Sequence, residues 1–318
     1  MVTIAAGSDM LDDLRDRLAA PPDVTADVSL VPVDIDGTDL STVEGALRWG
    51  MDADACAALL DEAPNVRWLH SPGAGVEGWP LDELRRRGIA LTNAAGVFAI
   101  PIAEWVLSAM LSAAKRNRAV DAAQRQHRWA GDLAGDELFG RNLLVLGGGG
   151  IGQHIIDRAA AFGMRIWVTN RSGRAVVNTE RTVSGRAWRD LLEEAHFVVV
   201  TVPLTEETRG MIGTKELARM RSDAWLINVG RGATLDEDAV LDAVADGRIA
   251  GAALDTWVTE PLPADHRAWE IPNVIVSPHR SGSSSAGRDR GLDLFADNIR
   301  RFAAGQPLRN VVDLDAGY

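Results

Sequence analysis

The chain has 318 residues, of which 46% are hydrophobic and 25% charged, so it is long enough for two domains that each bury a core. Its formal net charge of −12 argues against nucleic acids and anionic membranes as partners, because both bind basic surfaces. The single cysteine excludes a disulfide framework and the six histidines lack metal-site spacing, so we expect a cytoplasmic protein without a metal.

Short strands and helices alternate in the N-terminal third of the chain. The apolar patterns predict a helix over residues 10–19 and another that ends at Leu60. This alternation predicts a mostly parallel sheet with helices on both faces. The strands predicted here are 2–6, 28–33, 45–49, 66–70 and 89–92.

A second series of strands and helices follows an apolar helix that starts near Pro101, a residue suited to the first turn of a helix. The last predicted helix, residues 288–304, has apolar positions that favour packing on the first domain. The strands predicted in this series are 143–146, 164–169, 197–202, 224–229, 249–254 and 274–277.

A Gly-x-Gly-x-x-Gly turn lies between the strand at 143–146 and an apolar helix over 153–162. A dinucleotide fingerprint requires this order, because glycines let the backbone approach a pyrophosphate and the helix N-terminus directs N–H groups at it. The alternative is an ordinary glycine-rich loop. The residues expected to contact the cofactor here are Gly147, Gly149, Gly150, Ile151 and Gly152.

These patterns together predict an α/β fold of two Rossmann-like domains, each a parallel sheet flanked by helices. Residues 95–284 are expected to form a dinucleotide-binding domain. It would be inserted into a discontinuous substrate domain made of residues 1–94 and 285–318.

The position expected to bind the adenosine ribose is not acidic. NAD enzymes carry an Asp or Glu about 20 residues after the glycine turn, whereas the next strand here ends in Asn170, Arg171, Ser172, Gly173 and Arg174. Two guanidinium groups and a hydroxyl suit a 2′-phosphate, so residues 170, 171, 172 and 174 predict NADP in preference to NAD. An NAD enzyme and a solvated polar loop remain the alternatives.

Three segments downstream carry one cation, one carboxylate and one imidazole, each after a predicted strand. The carboxyl ends of parallel strands share one edge of a sheet, where ligands bind. Arg231 can orient a 2-keto acid with a two-pronged fork, and His279 can supply a proton. Glu260 can fix the tautomer of the imidazole. Taken singly, each of the three is also compatible with a surface or turn residue.

These segments resemble those of the D-isomer-specific 2-hydroxyacid dehydrogenases, and the resemblance spans nearly all of the chain. The family motifs Asn-x-x-Arg-Gly, Glu-Pro and Pro-His-x-x-Gly correspond here to 228–232, 260–261 and 278–282. The resemblance implies that Arg231 binds the substrate carboxylate and carbonyl, that His279 is the general acid/base, and that Glu260 is its partner.

The resemblance also implies binding residues outside the catalytic three and a homodimer formed through the helix after Pro101. Asp255 would meet the nicotinamide carboxamide, and residues 71–77 would hold the substrate carboxylate through backbone N–H groups. The further cofactor contacts expected are Val202, Pro203, Thr208, Val229 and Asp255. The substrate contacts expected are Trp49, Ala74, Gly75, Val76 and Arg231.

The chain departs from the family at three positions. Asn170 replaces the ribose-binding acid, and Trp257 replaces a Phe, which is expected to affect packing alone. Arg280 follows His279 where the family has an aliphatic residue. It could tune the imidazole, bind a second anionic group of a substrate, or point to solvent. Glu260 argues against formate, because the family's formate dehydrogenases carry Gln there.

The sequence therefore predicts reversible hydride transfer between NADP(H) and C2 of a small D-2-hydroxy acid or 2-keto acid. Glyoxylate and hydroxypyruvate are the first candidates by analogy. The alternatives are the same reaction with NAD(H), or a nucleotide-sensing binding protein with weak catalysis. Phosphite oxidation is disfavoured, because Ala74 and Gly75 stand where that reaction would need a lysine.

Overall fold

The computed structural model describes residues 1–19, 27–48, 53–76 and 78–317. The strands in these residues are β1 (Val2–Ala6), β2 (Val28–Pro32), β3 (Val43–Leu47), β4 (Trp68–Ser71), β5 (Ala90–Asn93), β6 (Asn142–Leu146), β7 (Arg165–Thr169), β8 (Arg181–Val183), β9 (Phe197–Val200), β10 (Trp225–Asn228), β11 (Gly251–Leu254) and β12 (Val274–Val276). The helices are α1 (Leu11–Ala19), α2 (Ala53–Glu62), α3 (Leu81–Arg87), α4 (Ala99–Ala114), α5 (Asn117–Arg125), α6 (Gly150–Ala161), α7 (Thr214–Leu217), α8 (Glu237–Ala245) and α9 (Ser285–Ala303).

The chain divides into two compact units. Unit 1 consists of Met1–Val97 with Ser284–Tyr318, and unit 2 of Phe98–Ser283. Each contains one parallel sheet, with strand order β2-β1-β3-β4-β5 in unit 1 and β12-β11-β10-β9-β6-β7-β8 in unit 2. The predicted α/β class with two parallel sheets is confirmed. That unit 1 binds the substrate and unit 2 the cofactor stays a prediction.

The strand order of unit 2 reverses beside β6. After β6 the chain adds β7 and β8 on one side, then crosses over to add β9 to β12 on the other. In open α/β sheets such a reversal opens a crevice at the carboxyl ends of the two central strands, and ligands bind there. The loops that follow β6 and β9 are therefore placed at the sheet edge where a nucleotide would bind.

Both faces of the unit 2 sheet are buried, which explains the continuous apolar runs of its strands. Successive side chains of a strand point to opposite faces. Leu143 and Val145 pack with α4 and α6, whereas Leu144 and Leu146 belong to the core on the other face. This double burial holds the carboxyl ends of β6 and β9 in a fixed position.

In unit 1 the C-terminal helix α9 packs beside α1 on the face of the sheet that carries Trp68. Phe295 is buried against the Trp68 ring at a centroid distance of 5.5 Å. At the surface Arg17 pairs with Asp289 and Asp293 at 2.9 and 2.8 Å. The helix begins at Ser285, three residues before the predicted start.

Three elements were not predicted as such, and one predicted strand is displaced. Helix α3 and strand β8 were not anticipated, and α5 lies in a segment read as irregular and polar. Strand β3 ends at Leu47, so the predicted strand over 45–49 begins too late; Trp49 lies outside the described residues.

Two further observations apply to the described part of the chain. No helix in it is long and apolar enough to cross a bilayer. It also contains no group of three His, Cys, Asp or Glu side chains arranged to hold a metal ion.

A buried histidine lies in the core of unit 1. His70 is 1% exposed and stacks on Phe295 at 5.1 Å, with Nδ1 2.7 Å from Thr92 Oγ1. Burial lowers the pKa of His70 from its ordinary 6.5 to about 4, because the apolar surroundings disfavour the charged ring.

We expect His70 to make the stability of unit 1 depend on pH. The unfolded chain binds a proton near pH 6.5 that the folded chain takes up only near pH 4. The free energy of unfolding therefore falls as pH drops through this window, by on the order of 3 kcal/mol in all. Calorimetric unfolding of wild type and His70→Gln between pH 4 and 8 measures the difference.

The comparison isolates His70, because other titrating groups are common to both proteins. His196 in unit 2, whose pKa burial also lowers, is one of these. A stability difference between the two proteins that stays constant over this pH range would contradict the prediction.

Candidate active site

The turn after β6 requires glycine at two positions for its own packing. Gly147 has a φ of +115°, a backbone conformation that glycine adopts readily. A Cβ on Gly147 would lie 2.6 Å from Thr201 Oγ1, and a Cβ on Gly152 would lie 2.0 Å from the Gly147 carbonyl oxygen. Neither position can carry a side chain without movement of the turn.

Gly149 and Gly150 face open space instead. A Cβ on either would have no heavy atom within 4 Å. Gly149 is the N-cap of α6, and Gly150, Ile151 and Gly152 form its first turn, so the helix begins three residues before the predicted start at 153. The first N–H groups of a helix have no intrahelical acceptor, and an anion without steric hindrance can approach them. This cradle fits the pyrophosphate of a dinucleotide.

The segment after β7 forms a turn closed by side-chain hydrogen bonds, with two arginines exposed on it. Asn170 Nδ2 donates to the Arg174 carbonyl at 2.8 Å, and Ser172 Oγ donates to Asn170 Oδ1 at 3.4 Å. Both polar groups of the Asn170 amide are thus used to shape the turn. Arg171 and Arg174 are exposed on it.

The loops after β9 and β10 meet at the same sheet edge. Thr208 Oγ1 donates to the Pro203 carbonyl at 2.6 Å, which closes the loop that begins at Val202. A Cβ on Gly230 would lie 2.7 Å from the Val202 carbonyl oxygen, so the two loops are in close contact. Val229 is buried in the core that includes α4 and α6, and its N–H donates to the Val200 carbonyl at 3.1 Å. Strand β9 ends at Val200, two residues earlier than predicted.

The backbone of Arg231 is fixed by the residues around it. Asn228 is fully buried, and its amide accepts from Gly230 N–H and donates to the Arg231 carbonyl, both at 3.0 Å. Thr234 Oγ1 donates to the same carbonyl at 2.6 Å. Arg231 Nη1 donates to the Gly230 carbonyl at 2.9 Å, and the residue is half-buried. The Asn-x-x-Arg spacing therefore has a local structural cause.

The structure brings the predicted acid/base pair together. His279 Nδ1 lies 2.8 Å from Glu260 Oε2, with the two side chains 49% and 36% exposed. The other oxygen of Glu260 accepts from Trp257 N–H at 2.9 Å. A proton on Nδ1 directed at the carboxylate leaves Nε2 of His279 for a reacting oxygen. His279 itself has a φ of +50°, in the left-handed region.

The buried carboxylate of Asp255 holds the loop that carries His279. Asp255 is 1% exposed, and its oxygens accept from Ser277 Oγ at 2.5 Å, Arg280 N–H at 2.9 Å, and both the N–H and the hydroxyl of Ser281. Its backbone carbonyl accepts from His279 N–H at 2.8 Å. Sequence reasoning missed this role, for which the serines two residues before and after His279 are the signal. Contact of Asp255 with a nicotinamide stays a prediction.

The side chain of Trp257 makes a hydrogen bond in addition to its packing contacts. Its indole Nε1 donates to the Ser277 carbonyl at 3.0 Å, where a Phe would have no donor. The expectation that this replacement affects packing alone is wrong, because the indole ties the end of β11 to the loop after β12.

The predicted substrate loop lies in unit 1. Asn93 Nδ2 donates to the Ala74 carbonyl at 2.7 Å, and Ala94 N–H donates to the Gly73 carbonyl at 3.0 Å. The carbonyls of the loop are thus held by the end of β5. Val76 is buried, and Glu77, like Trp49, lies outside the described residues.

Comparison with known proteins places this geometry in a family. Residues 107–281 match the model of the D-isomer specific 2-hydroxyacid dehydrogenase NAD binding domain. The chain is 33% identical to the glyoxylate/hydroxypyruvate reductase B of Pectobacterium carotovorum over 95% of each chain.

Two solved structures are also similar over nearly the whole chain. One is a D-isomer specific 2-hydroxyacid dehydrogenase family protein from Aeromonas salmonicida, with a TM-score of 0.86, 30% identity and 99% of each chain covered. The other is the NADPH-dependent glyoxylate/hydroxypyruvate reductase of Sinorhizobium meliloti in complex with NADP and sulfate, with a TM-score of 0.82, 28% identity and 100% of each chain covered.

The parallel sheet with its glycine turn, together with these matches, defines a nicotinamide-dependent oxidoreductase. The chain belongs to the D-isomer specific 2-hydroxyacid dehydrogenase family. It is an NAD(P)-dependent enzyme that transfers hydride to or from C2 of small 2-hydroxy or 2-keto acids.

A matched pair of glycine variants tests the two kinds of position in the turn. Gly152→Ala should destabilise unit 2 by about 1–3 kcal/mol, because the Cβ overlaps the Gly147 carbonyl. Gly149→Ala should leave the melting temperature near that of wild type but weaken nucleotide binding about tenfold, because only the ligand would contact the new methyl group. Thermal melts and fluorescence titration with NADPH measure both.

The two positions differ only in what surrounds the added methyl. Equal losses of stability in both variants would show that the turn is not packed as described. Unchanged NADPH affinity in Gly149→Ala would show that the cradle does not hold the nucleotide.

Proposed function

We propose that the protein is an NADPH-dependent reductase of small 2-keto acids. The observation that carries this proposal is the 2.8 Å contact between His279 Nδ1 and Glu260 Oε2, which joins the loops that follow the neighbouring strands β11 and β12. Such a pair holds an imidazole as a proton donor beside a nicotinamide site.

A bound nicotinamide supplies the hydride, and the chain supplies orientation and a proton. Arg231 directs its guanidinium at the carboxylate and carbonyl of the keto acid, which polarises C2. His279 holds a proton at Nε2 for the carbonyl oxygen, and Glu260 stabilises the ring cation from the other side. In the reverse direction His279 accepts the proton of the 2-hydroxyl group.

Removal of the proton donor should stop turnover without loss of nucleotide binding. We expect His279→Ala to lower kcat for NADPH-linked keto-acid reduction by about 10²–10⁴-fold, the usual contribution of general acid catalysis. The Kd for NADPH should stay within twofold of wild type. Steady-state kinetics with a panel of 2-keto acids and fluorescence titration measure the two quantities. If His279→Ala loses NADPH affinity instead, His279 has a structural role.

The choice of NADP over NAD rests on the turn after β7. The turn carries no carboxylate for a ribose 2′-hydroxyl and exposes Arg171 and Arg174, whose guanidiniums suit a 2′-phosphate. The similar Sinorhizobium reductase was crystallised with NADP, which supports the same choice here.

We expect Arg171→Ala/Arg174→Ala to raise the KM for NADPH about tenfold to a hundredfold, since charged hydrogen bonds to phosphate are lost. The KM for NADH, which lacks the phosphate, should change little. Arg248→Ala serves as the control, because Arg248 is an exposed arginine of the same unit that precedes β11, at the opposite edge of the sheet. An unchanged ratio of the two KM values, or a wild type that prefers NADH, would refute the proposed cofactor preference.

Glyoxylate and hydroxypyruvate are the proposed substrates. Support comes from the Pectobacterium and Sinorhizobium relatives, both of which are glyoxylate/hydroxypyruvate reductases. The substrate contacts predicted from the sequence, Trp49, Ala74, Gly75, Val76 and Arg231, stay predictions.

We further propose that the enzyme is a homodimer. The segment that follows α4 exposes large apolar side chains, with Trp129 at 95% and Phe139 at 75% exposure, and such groups favour contact with a second copy.

We also propose that the enzyme is cytoplasmic. The one cysteine of the chain, Cys56, is buried and unpaired, which suits a reducing compartment.

A further inference from the structure

Unit 2 contains a second histidine–glutamate pair that the sequence analysis assigned to no role. His266 Nε2 lies 3.3 Å from Glu237 Oε1, and the two side chains are only 20% and 18% exposed. Glu237 is the first residue of α8, and His266 precedes a short helical turn at 267–269. The edge of the His266 ring meets the indole of Trp257 at a centroid distance of 5.8 Å.

This second pair and the Glu260–His279 pair hold the same stretch of backbone. Glu260 Oε1 accepts from Trp257 N–H at 2.9 Å, and Glu237 Oε2 accepts from Val258 N–H at 3.0 Å. Each carboxylate thus binds a backbone N–H with one oxygen and a histidine with the other. Two successive peptide groups are fixed by two charged acceptors.

A third contact connects this backbone to the residue after Arg231. A Cβ on Gly232 would lie 2.1 Å from the Trp257 carbonyl carbon and 2.5 Å from Val258 N. The peptide between residues 257 and 258 is therefore packed directly against the backbone of Gly232. This peptide therefore contacts the residue that follows Arg231 and lies two residues before Glu260.

One hydrogen bond of His266 defines its tautomer. Nδ1 accepts from Ala268 N–H at 3.3 Å, which leaves Nε2 as the ring donor, 3.3 Å from Glu237 Oε1. The contact with Nε2 restrains the carboxylate of Glu237, whose other oxygen accepts from Val258 N–H. Because the ring contacts Glu237 on one side and Ala268 on the other, it connects α8 to the turn at 267–269.

We propose that Glu237 and His266 form a positioning pair that fixes the 257–258 peptide, and through it the placement of Glu260 relative to His279 and Arg231. The proposal rests on the function given above, in which these three residues carry the reduction. Neither Glu237 nor His266 has a catalytic role in it, and they act through the backbone that they hold.

Two substitutions of His266 separate its contacts with Glu237 and with Ala268. In His266→Gln the amide nitrogen takes the place of Nε2 and keeps a donor for Glu237. In His266→Asn the amide oxygen takes the place of Nδ1, which keeps the acceptor for Ala268 N–H but removes the donor to Glu237. We expect His266→Asn to lower kcat about tenfold to a hundredfold, as misplacement of catalytic groups does. His266→Gln should recover most of that loss.

Glu237→Gln gives a second route to the same result. Its amide group can still accept from Val258 N–H but presents a donor to the Nε2–H of His266, so the pair is broken. The expected signature in both pair-breaking variants is a fall in kcat with the KM for NADPH and the melting temperature close to wild type. Equal activity in His266→Asn, His266→Gln and wild type would overturn the proposal. Equal losses of activity and melting temperature in both His266 variants would also overturn it, since they indicate general destabilisation.

The proton resonances of the histidine rings give a readout that does not depend on turnover. In wild type the Nδ1–H of His279 should give a downfield signal from its bond to Glu260, assigned by its loss in His279→Ala. The signal should shift or broaden in His266→Asn and stay in His266→Gln. If wild type reduces no keto acid, the proposed function fails while this test still decides the positioning role. An identical signal in all His266 variants would refute that role.

Discussion

The proposed active site depends on one buried carboxylate. Asp255 is almost fully removed from solvent, a costly position for a charge unless hydrogen bonds replace the lost water. The loop after β12 supplies these bonds through two hydroxyls and two backbone N–H groups. The same bonds hold the loop in a conformation in which His279 has a positive φ. That backbone conformation costs on the order of 1–3 kcal/mol for a residue with a side chain. Charge-assisted bonds to a buried acceptor are strong enough to offset that cost.

Backbone contacts also position the loops that follow three neighbouring strands. β10, β11 and β12 are adjacent, so the loops after them carry Arg231, Glu260 and His279 on one edge of the sheet. Their relative placement comes from backbone contacts more than from the functional side chains. Asn228 fixes the carbonyl of Arg231, and Gly232 allows the 257–258 peptide to approach. A mutation that alters any of these supports would move a functional group without touching it, which is why the supports belong to the mechanism.

The parts of this structure that are local in the sequence could be predicted from it. The buried strand, the glycine turn and the apolar helix around residue 147 give a pattern of adjacent residues, and the fold class follows from its repetition. The start of α6 at Gly150 was missed because glycine is a poor helix former, whereas here the first turn needs open backbone. The apolar side of helix α5 consists mostly of alanines among many charged and polar residues, and β8 has only three residues, so neither was recognised from the sequence.

The supports of the site could not be predicted, because their partners meet only in the folded chain. Glu237 and His266 are separated in the sequence by β11. Nothing in the residues that flank them indicates that the two side chains meet or that they hold the 257–258 backbone. The indole bond of Trp257 to Ser277 likewise depends on the pairing of β11 with β12. The family motifs predict Arg231, Glu260 and His279 as the catalytic residues, but they do not show which residues hold these three in position.

The acidity of the chain determines how it can bind anionic ligands. With a net charge of −12, the overall field opposes both a dinucleotide phosphate and a keto acid. Screening limits that field to about 10 Å at 0.1 M salt, so affinity has to come from groups in direct contact. In the proposed function the open N-terminus of α6 would supply such contacts for any dinucleotide, because its donors are backbone N–H groups. Such donors cannot distinguish a 2′-phosphate from a 2′-hydroxyl, so in the proposed function discrimination between the two cofactors depends on the side chains of the turn after β7.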